Sequence, residues 1–273
     1  MSSTRTSEAQ VPLLEAEEVD DDVERGALPN YAEAAQSGQR VGFVAGAKPN
    51  LRPGKDPVAL ADTRLRMGFL RKVLGILLFQ FGVTVILSTA LYLTPVVRGF
   101  IHQQPWIMFT CIFGSIGVLL ALFVHAHNVP MNYFLLGIWT IMQALTVASI
   151  VTFYDLEVVV QALLITVAVV GSLFAYTLQT KRDWSKGYAI LGTLSMAFIF
   201  ATLLQIILMS SVFNFAMSLF GAALFSAYLV FDLDMVLHVH SEEDYVIACV
   251  MIYMDVVNLF LNILRIVAEA NRN

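Results

Sequence analysis

The segment FDLDMVLHVHSEEDYVIACVMIYMD, residues 231–255, holds two acids where a strongly apolar chain should hold none. Asp232 stands near the end of one apolar run and Asp255 deep inside the next, on either side of a short turn centred near Glu243. Asp232 lies about eleven residues before that centre and Asp255 about twelve after it. At about 1.5 Å rise per residue, an antiparallel helix pair brings both carboxyls to similar depth, roughly 10–18 Å from the turn. An acid at the centre of a membrane helix costs about 2.5–3.5 kcal/mol on insertion scales. Two carboxylates in contact do not comfortably both ionise, so such a pair holds one proton and titrates as a unit. That proton would bridge the helices. Its loss would leave two negative charges that repel each other or capture a cation, and oxygen-rich carboxylate sites suit Ca²⁺. The spacing therefore points to a proton-controlled, cation-attracting latch at Asp232 and Asp255, with no resident cofactor. The competing reading makes each acid a structural hydrogen-bonding group between helices.

Both runs carry polar stripes that support a shared face. Asn214, Ser218, Gly221, Tyr228 and Asp232 are spaced by 4, 3, 7 and 4 residues. At about 100° per residue they fall within one narrow arc. Asp255, Asn258, Asn262 and Arg265 stand at offsets of 0, 3, 7 and 10 along the following run. The expectation is that the two faces meet each other or a common wet cavity. Asp234 is rotated away and interfacial, a candidate modulator. In the turn HVHSEED, Ser241 and Asp244 form an S-x-x-D start for the next helix. His238 and His240 are either ordinary interfacial residues or, titrating near pH 6.5, modulators of the latch. His125 and His127, in VHAHNVP, allow the same two readings.

These residues must be positioned by a membrane fold. Hydrophobic residues make up 58% of the 273 and charged residues 14%, against about 25% charged in a soluble domain. Seven apolar stretches, 72–94, 106–126, 131–153, 157–179, 187–209, 212–236 and 245–267, each approach the length that crosses a bilayer. Backbone groups in lipid must be satisfied within the segment, so the class is all-α, a seven-helix polytopic bundle over 71–267 in contact with lipid. Residues 1–70, acidic and then Gly-, Ala- and Pro-rich, read as a disordered cytosolic tail, and 268–273 as a short C-terminal tail. Arg64, Arg66, Arg71 and Lys72, with Lys181, Arg182 and Lys186, fall on one side if every stretch spans, and that side should be cytosolic. The 98–105 and 209–212 connections then face the lumen or exterior. Arg265 and Arg272 favour a competing topology in which the last segment is re-entrant and the C-terminus cytosolic. Cys111 and Cys249 sit inside apolar runs and read as unpaired buried thiols. Net charge is −5 with no basic patch, which argues against nucleic acid as a partner.

The segments FSAYLVFDLDMVL and EEDYVIACVMIYMDVVNLFLNILRIV resemble the transmembrane Bax inhibitor motif family, and within it the lifeguard-type branch. The resemblance rests on Phe231-Asp232 and on Tyr253, Asp255, Asn258, Leu259, Phe260, Leu261, Leu264 and Arg265, and extends over about residues 65–267. It implies a seventh helix wrapped by the other six. It also implies a pH-sensitive calcium leak from intracellular stores, suppression of apoptosis, and a pH-sensing latch at the positions of Asp232 and Asp255. Implied partners are protons, calcium ions and apoptosis or calcium-release channel proteins. The implied location is a Golgi membrane, with endoplasmic reticulum and endolysosomal membranes as alternatives. This chain has Phe-Asp-Leu-Asp where the family often has Tyr-Asp-Thr-Gln, and its second stretch lacks the basic residue that some relatives pair with the latch.

Two other classes stand against the channel. A non-conducting anti-apoptotic interaction protein needs no pore. An intramembrane aspartyl protease also sets one Asp on each of two adjacent helices, but Asp255 stands in IYMD rather than GxGD, and no long loop separates the acids. The chain is not expected to be an enzyme.

Overall fold

The computed structural model describes residues 63–104, 106–179, 187–238 and 242–272. Within them the chain forms eight α-helices: α1 (Thr63–Leu93), α2 (Pro95–Gln103), α3 (Trp106–Val124), α4 (Met131–Val151), α5 (Leu156–Gln179), α6 (Tyr188–Leu208), α7 (Ser211–His238) and α8 (Tyr245–Ala270). All but α2 are long and apolar enough to cross a membrane. The expected seven spans are therefore present, and the protein is an all-α polytopic membrane protein. A 3₁₀ turn, Glu242–Asp244, leads into α8.

The element ends differ from expectation in physically readable ways. Helix α1 begins at Thr63, inside the stretch read as tail. Its first turns carry Arg64, Arg66, Arg71 and Lys72, good helix formers that extend the helix beyond its apolar part. The remainder of that tail lies outside the described residues. Helix α8 runs to Ala270, so half of the expected C-terminal tail is helical. Pro95, which has no N–H to offer, ends α1 and stands at the first turn of α2. That nine-residue helix occupies what the apolar pattern showed only as a connection. Asp244 is the residue before α8, and the expected S-x-x-D start involves Ser241. Ser241 lies outside the described residues.

Helix α8 is the axis of the bundle. It packs against α7 most extensively, then α5, α1 and α4. Helix α3 packs chiefly on α4, and α6 chiefly on α7. The expected wrapping by all six helices is thus resolved into two shells, with α3 and α6 outermost. Tyr245, Val246, Ala248, Cys249, Val250, Ile252 and Tyr253 on α8 are buried with Val73 and Leu77 of α1, Trp139 of α4 and Leu229 and Leu233 of α7. Further along, Leu259, Ile263, Leu264 and Val267 pack with Val147 and Val151 of α4 and Val158 and Ala162 of α5. Large apolar side chains such as Phe79, Phe113 and Ile207 point outward, as a lipid-facing surface requires. Cys111 and Cys249 are both free thiols, and Cys249 donates weakly to the Val73 carbonyl at 3.6 Å.

Side-chain contacts sort the helix ends onto two faces. On one, Asn132 Nδ2 donates to the Tyr245 hydroxyl at 2.7 Å, Lys72 Nζ sits 3.1 Å from the centre of the Tyr245 ring, and His127 lies 3.9 Å from Asp244. On the other, the Tyr92 hydroxyl donates to the Tyr154 carbonyl at 3.3 Å, and His102 is hydrogen-bonded to Thr152 at 3.0 Å and stacks on Phe153. Asn271, just past α8, donates to Gln161 near the start of α5 at 3.2 Å, on this second face. Helix α8 is unbroken over 26 residues and joins the two faces. It runs from one end of the bundle to the other, as a full span would.

Candidate functional site

Helices α7 and α8 are antiparallel neighbours joined by a short turn, and their polar stripes meet. Asp232 is 4% exposed and Asp255 6% exposed, and they are the only charged side chains among the described buried residues. Their carboxyl groups lie close enough to interact directly. Two carboxylates cannot donate to each other, so a hydrogen bond between them requires a proton on one. Asp255 Oδ2 is buried and accepts no hydrogen bond from a neighbouring donor group. The structure thus brings together the two acids that the spacing alone had placed at similar depth.

The supporting face divides. On α7, Ser218 is 1% exposed and its hydroxyl donates to the Asn214 carbonyl at 2.9 Å, while Asn214 is half-buried. On α8, Asn262 is 4% exposed and Asn258 half-buried. The amide of Asn258 donates to the Met254 carbonyl at 2.9 Å and that of Asn262 to the Asn258 carbonyl at 2.8 Å. Gly221 faces Asn262 so closely that a Cβ there would stand 2.5 Å from Asn262 Oδ1. Gly221 and Asn262 thus meet across the α7–α8 seam.

Tyr228 and Arg265 do not. The Tyr228 hydroxyl is hydrogen-bonded to Ser195 of α6 at 2.6 Å, so this ring lies on the flank of α7 that faces its outer neighbour. Arg265 is exposed. Both stood at the edges of their arcs, about 40° and 80° from the acid on the same helix, where a small helix rotation decides which neighbour is met. Phe231, next to Asp232, packs toward α6 with Leu191 and Leu224. Asp234 is half-buried. His238 closes α7, and its side chain, like all of His240, lies outside the described residues. His127 pairs with Asp244 at 3.9 Å and His125 Nδ1 is bonded to the Ala121 carbonyl at 3.0 Å. Among the described residues no three His, Cys, Asp or Glu side chains gather as a metal cluster.

A second polar group, which the stripe argument missed, lies on the opposite side of α8. Tyr253 is fully buried, and its hydroxyl is hydrogen-bonded to Thr84 of α1 at 2.8 Å. Thr84 donates its own proton to the Gln80 carbonyl at 2.9 Å, so Tyr253 is the donor in their shared bond. Gln80 Nε2 donates to Thr140 of α4 at 2.9 Å. Trp139 meets the Tyr253 ring edge-on and Phe81 stacks against it. Tyr253 stands two residues before Asp255, about 200° around the helix. One turn of α8 is therefore tied to α1 on one side and to α7 on the other. The signal was in the sequence: Gln80 and Thr84 are four residues apart in an otherwise apolar run.

Comparison with known proteins follows the same region of the chain. Residues 66–273 match the family described as inhibitor of apoptosis-promoting Bax1. The chain is 40% identical over 215 residues to the Golgi anti-apoptotic protein of vaccinia virus, covering 79% of this chain and 91% of the relative. It is 38% identical over 215 residues to protein lifeguard 4 of Mus musculus, covering 79% and 90%. It is 32% identical over 257 residues to Bax inhibitor 1 of Schizosaccharomyces pombe, covering 90% and 94%.

Proposed function

We propose a function on the premise that the chain belongs to the family of inhibitors of apoptosis-promoting Bax1. It is an anti-apoptotic protein of an intracellular membrane, the Golgi by its likeness to the viral relative, with its N-terminus in the cytosol. It acts as a calcium leak whose gate is the Asp232–Asp255 pair. The observation that carries this reading is the close approach of two buried carboxyls on the last two spans.

The gate follows from proton counting. With one proton, a carboxylic acid donates to a carboxylate, a charge-assisted bond about twice as strong as its neutral counterpart. This is the closed state. As pH rises and the proton leaves, two negative charges face each other in a medium that screens them poorly. The helices part, and oxygen ligands become free to take a calcium ion. A second proton at low pH removes the charge assistance and also weakens the latch. Among the described residues, Asp232 and Asp255 are the only buried charged side chains. Lys72 of α1 is exposed and lies over Tyr245 at the helix end, Tyr253 faces Thr84, and Tyr228 faces Ser195.

The test is calcium flux into liposomes holding the full chain, measured across pH. Wild type should show a minimum of flux in the window where the pair holds one proton. In Asp232→Asn and Asp255→Asn an amide donates to the remaining carboxylate at any pH, so flux should stay low and flat. A wild-type profile in both variants would falsify the gate assignment. Absence of calcium flux from the wild type at every pH would favour the non-conducting interaction protein.

A further inference from the structure

Helix α2 is too short to span and stands where two spans end. Between Lys72 and Leu93, α1 carries no charged residue. That stretch rises about 32 Å at 1.5 Å per residue, close to the roughly 30 Å of a hydrocarbon core. Helix α3 has 19 residues, about 28 Å by the same measure. With Lys72 at one boundary of the core, Leu93 reaches the other, and Trp106 starts α3 back from that same boundary. The nine residues of α2 are thus held at the edge of the hydrocarbon, in the leaflet opposite the start of α1.

One side of this helix is fastened to the bundle. Ile101 is buried. Thr152 gives its own proton to the Ser149 carbonyl at 2.7 Å, so His102 Nε2 is the donor in their 3.0 Å bond. The His102 ring also stacks 4.2 Å from Phe153, and the Arg98 guanidinium lies 5.1 Å over the Tyr92 ring. The other side is bare. Val96 is 82% exposed and Phe100 55%. Four residues apart, they share a face turned about 120–180° from Ile101, Arg98 and His102. The face is continuous with the lipid-facing surface on both flanks. Leu93 ends α1 exposed, and Trp106, Phe109 and Phe113 form one outward stripe from the first turn of α3. Tryptophan at such a boundary is the usual interfacial anchor of a span.

We propose that α2 is an interfacial helix that docks on a phospholipid surface, with Val96 and Phe100 set among the acyl chains of that leaflet. Apolar area entering the boundary between headgroups and chains supplies the binding, as in other amphipathic helices that lie in the membrane plane. Through His102 and Thr152 the same leaflet is joined to the end of α4, which packs on the central α8. The docking stands independently of the calcium-leak reading.

The experiment uses the full chain in phosphatidylcholine vesicles, with one nitroxide-labelled cysteine at a time in a background lacking Cys111 and Cys249. Labels in Val96→Cys and Phe100→Cys should be relaxed severalfold more by oxygen, which partitions into lipid, than by an aqueous nickel chelate. Phe113→Cys on α3 supplies the lipid reference. Arg272→Cys, at a side chain 77% exposed beyond the end of α8, supplies the aqueous reference. A preference for the nickel chelate at both α2 sites, as at Arg272, would overturn the docking by placing that face in water. Low access to both reagents would overturn it by placing the face under protein, and dipolar broadening between labels would identify a second copy as the cover. Should Phe100→Cys fail to assemble, the more exposed Val96→Cys decides alone by the same criteria.

Discussion

At the scale of residues, the molecule sets a carboxyl pair and a neutral hydrogen bond on two sides of one helix turn. Asp255 meets Asp232 on α7, while Tyr253 donates to Thr84 on α1. The second contact invites an asymmetric test. Tyr253→Phe removes the donor and leaves Thr84 still bonded to the Gln80 carbonyl. Thr84→Val removes the acceptor and leaves a buried phenol with nothing to donate to. The first should lower stability by about 1 kcal/mol and the second by about 1–3 kcal/mol. Thermal unfolding in detergent checks the order, and equal shifts would show that the hydroxyl finds another acceptor. The acids were legible from sequence because a charged residue in an apolar run stands out against its surroundings. Tyr253 was not, because Tyr in a membrane segment has an aromatic body that suits the core and hides its hydroxyl. Only the position of Gln80 and Thr84 across the interface reveals the partner.

At the scale of elements, the question is why α7 and α8 meet with these faces and not others. A 3.6-residue period placed Asn214, Ser218, Gly221 and Asp232 on one side of α7, and the seam uses Gly221 and Asp232. The same period could not decide Tyr228, which turned to Ser195 of α6. Sequence periodicity gives the arc but not the neighbour at its edge, because the neighbour depends on how each helix is rotated in the bundle. The close approach is set by Gly221. In Gly221→Ala the new methyl meets the Asn262 head group at 2.5–3.0 Å, so the Asn262 amide must leave its bond to Asn258 or the helices must shift. Such overpacking costs about 1–3 kcal/mol. Gly171 of α5 has nothing within 4 Å of its missing Cβ, and Gly171→Ala should be neutral or stabilise by up to about 1 kcal/mol through helix propensity. Comparing the two variants by thermal unfolding separates close packing from backbone entropy. Equal destabilisation would mean that the seam tolerates no specific clash.

At the scale of the whole molecule, the number and length of spans followed from composition, whereas their crossing pattern did not. Lys and Arg counts placed the flank before the first span and the connection between the fourth and fifth spans on one side but left the seventh segment ambiguous, since Arg265 and Arg272 stand near its end. The structure explains those two charges without a re-entrant loop. Arg265 is exposed five residues before the end of α8, where a long side chain extends its guanidinium toward the interface. Arg272 pairs with Glu269 at 3.8 Å on the last turn. A helix of 26 residues is about 39 Å long at 1.5 Å per residue, beyond the roughly 30 Å of a hydrocarbon core. Contacts at its two ends also lie on opposite faces, Tyr245 with Asn132 and Asn271 with Gln161. The carboxyl pair then sits between the two faces, as the proposed gate requires. Single cysteines at Arg71 and at Asn271, in a background lacking Cys111 and Cys249, test this directly. In sealed vesicles an impermeant thiol reagent should label one of them from outside and the other only after permeabilisation. Labelling of both from the same side would return the last helix to a re-entrant path.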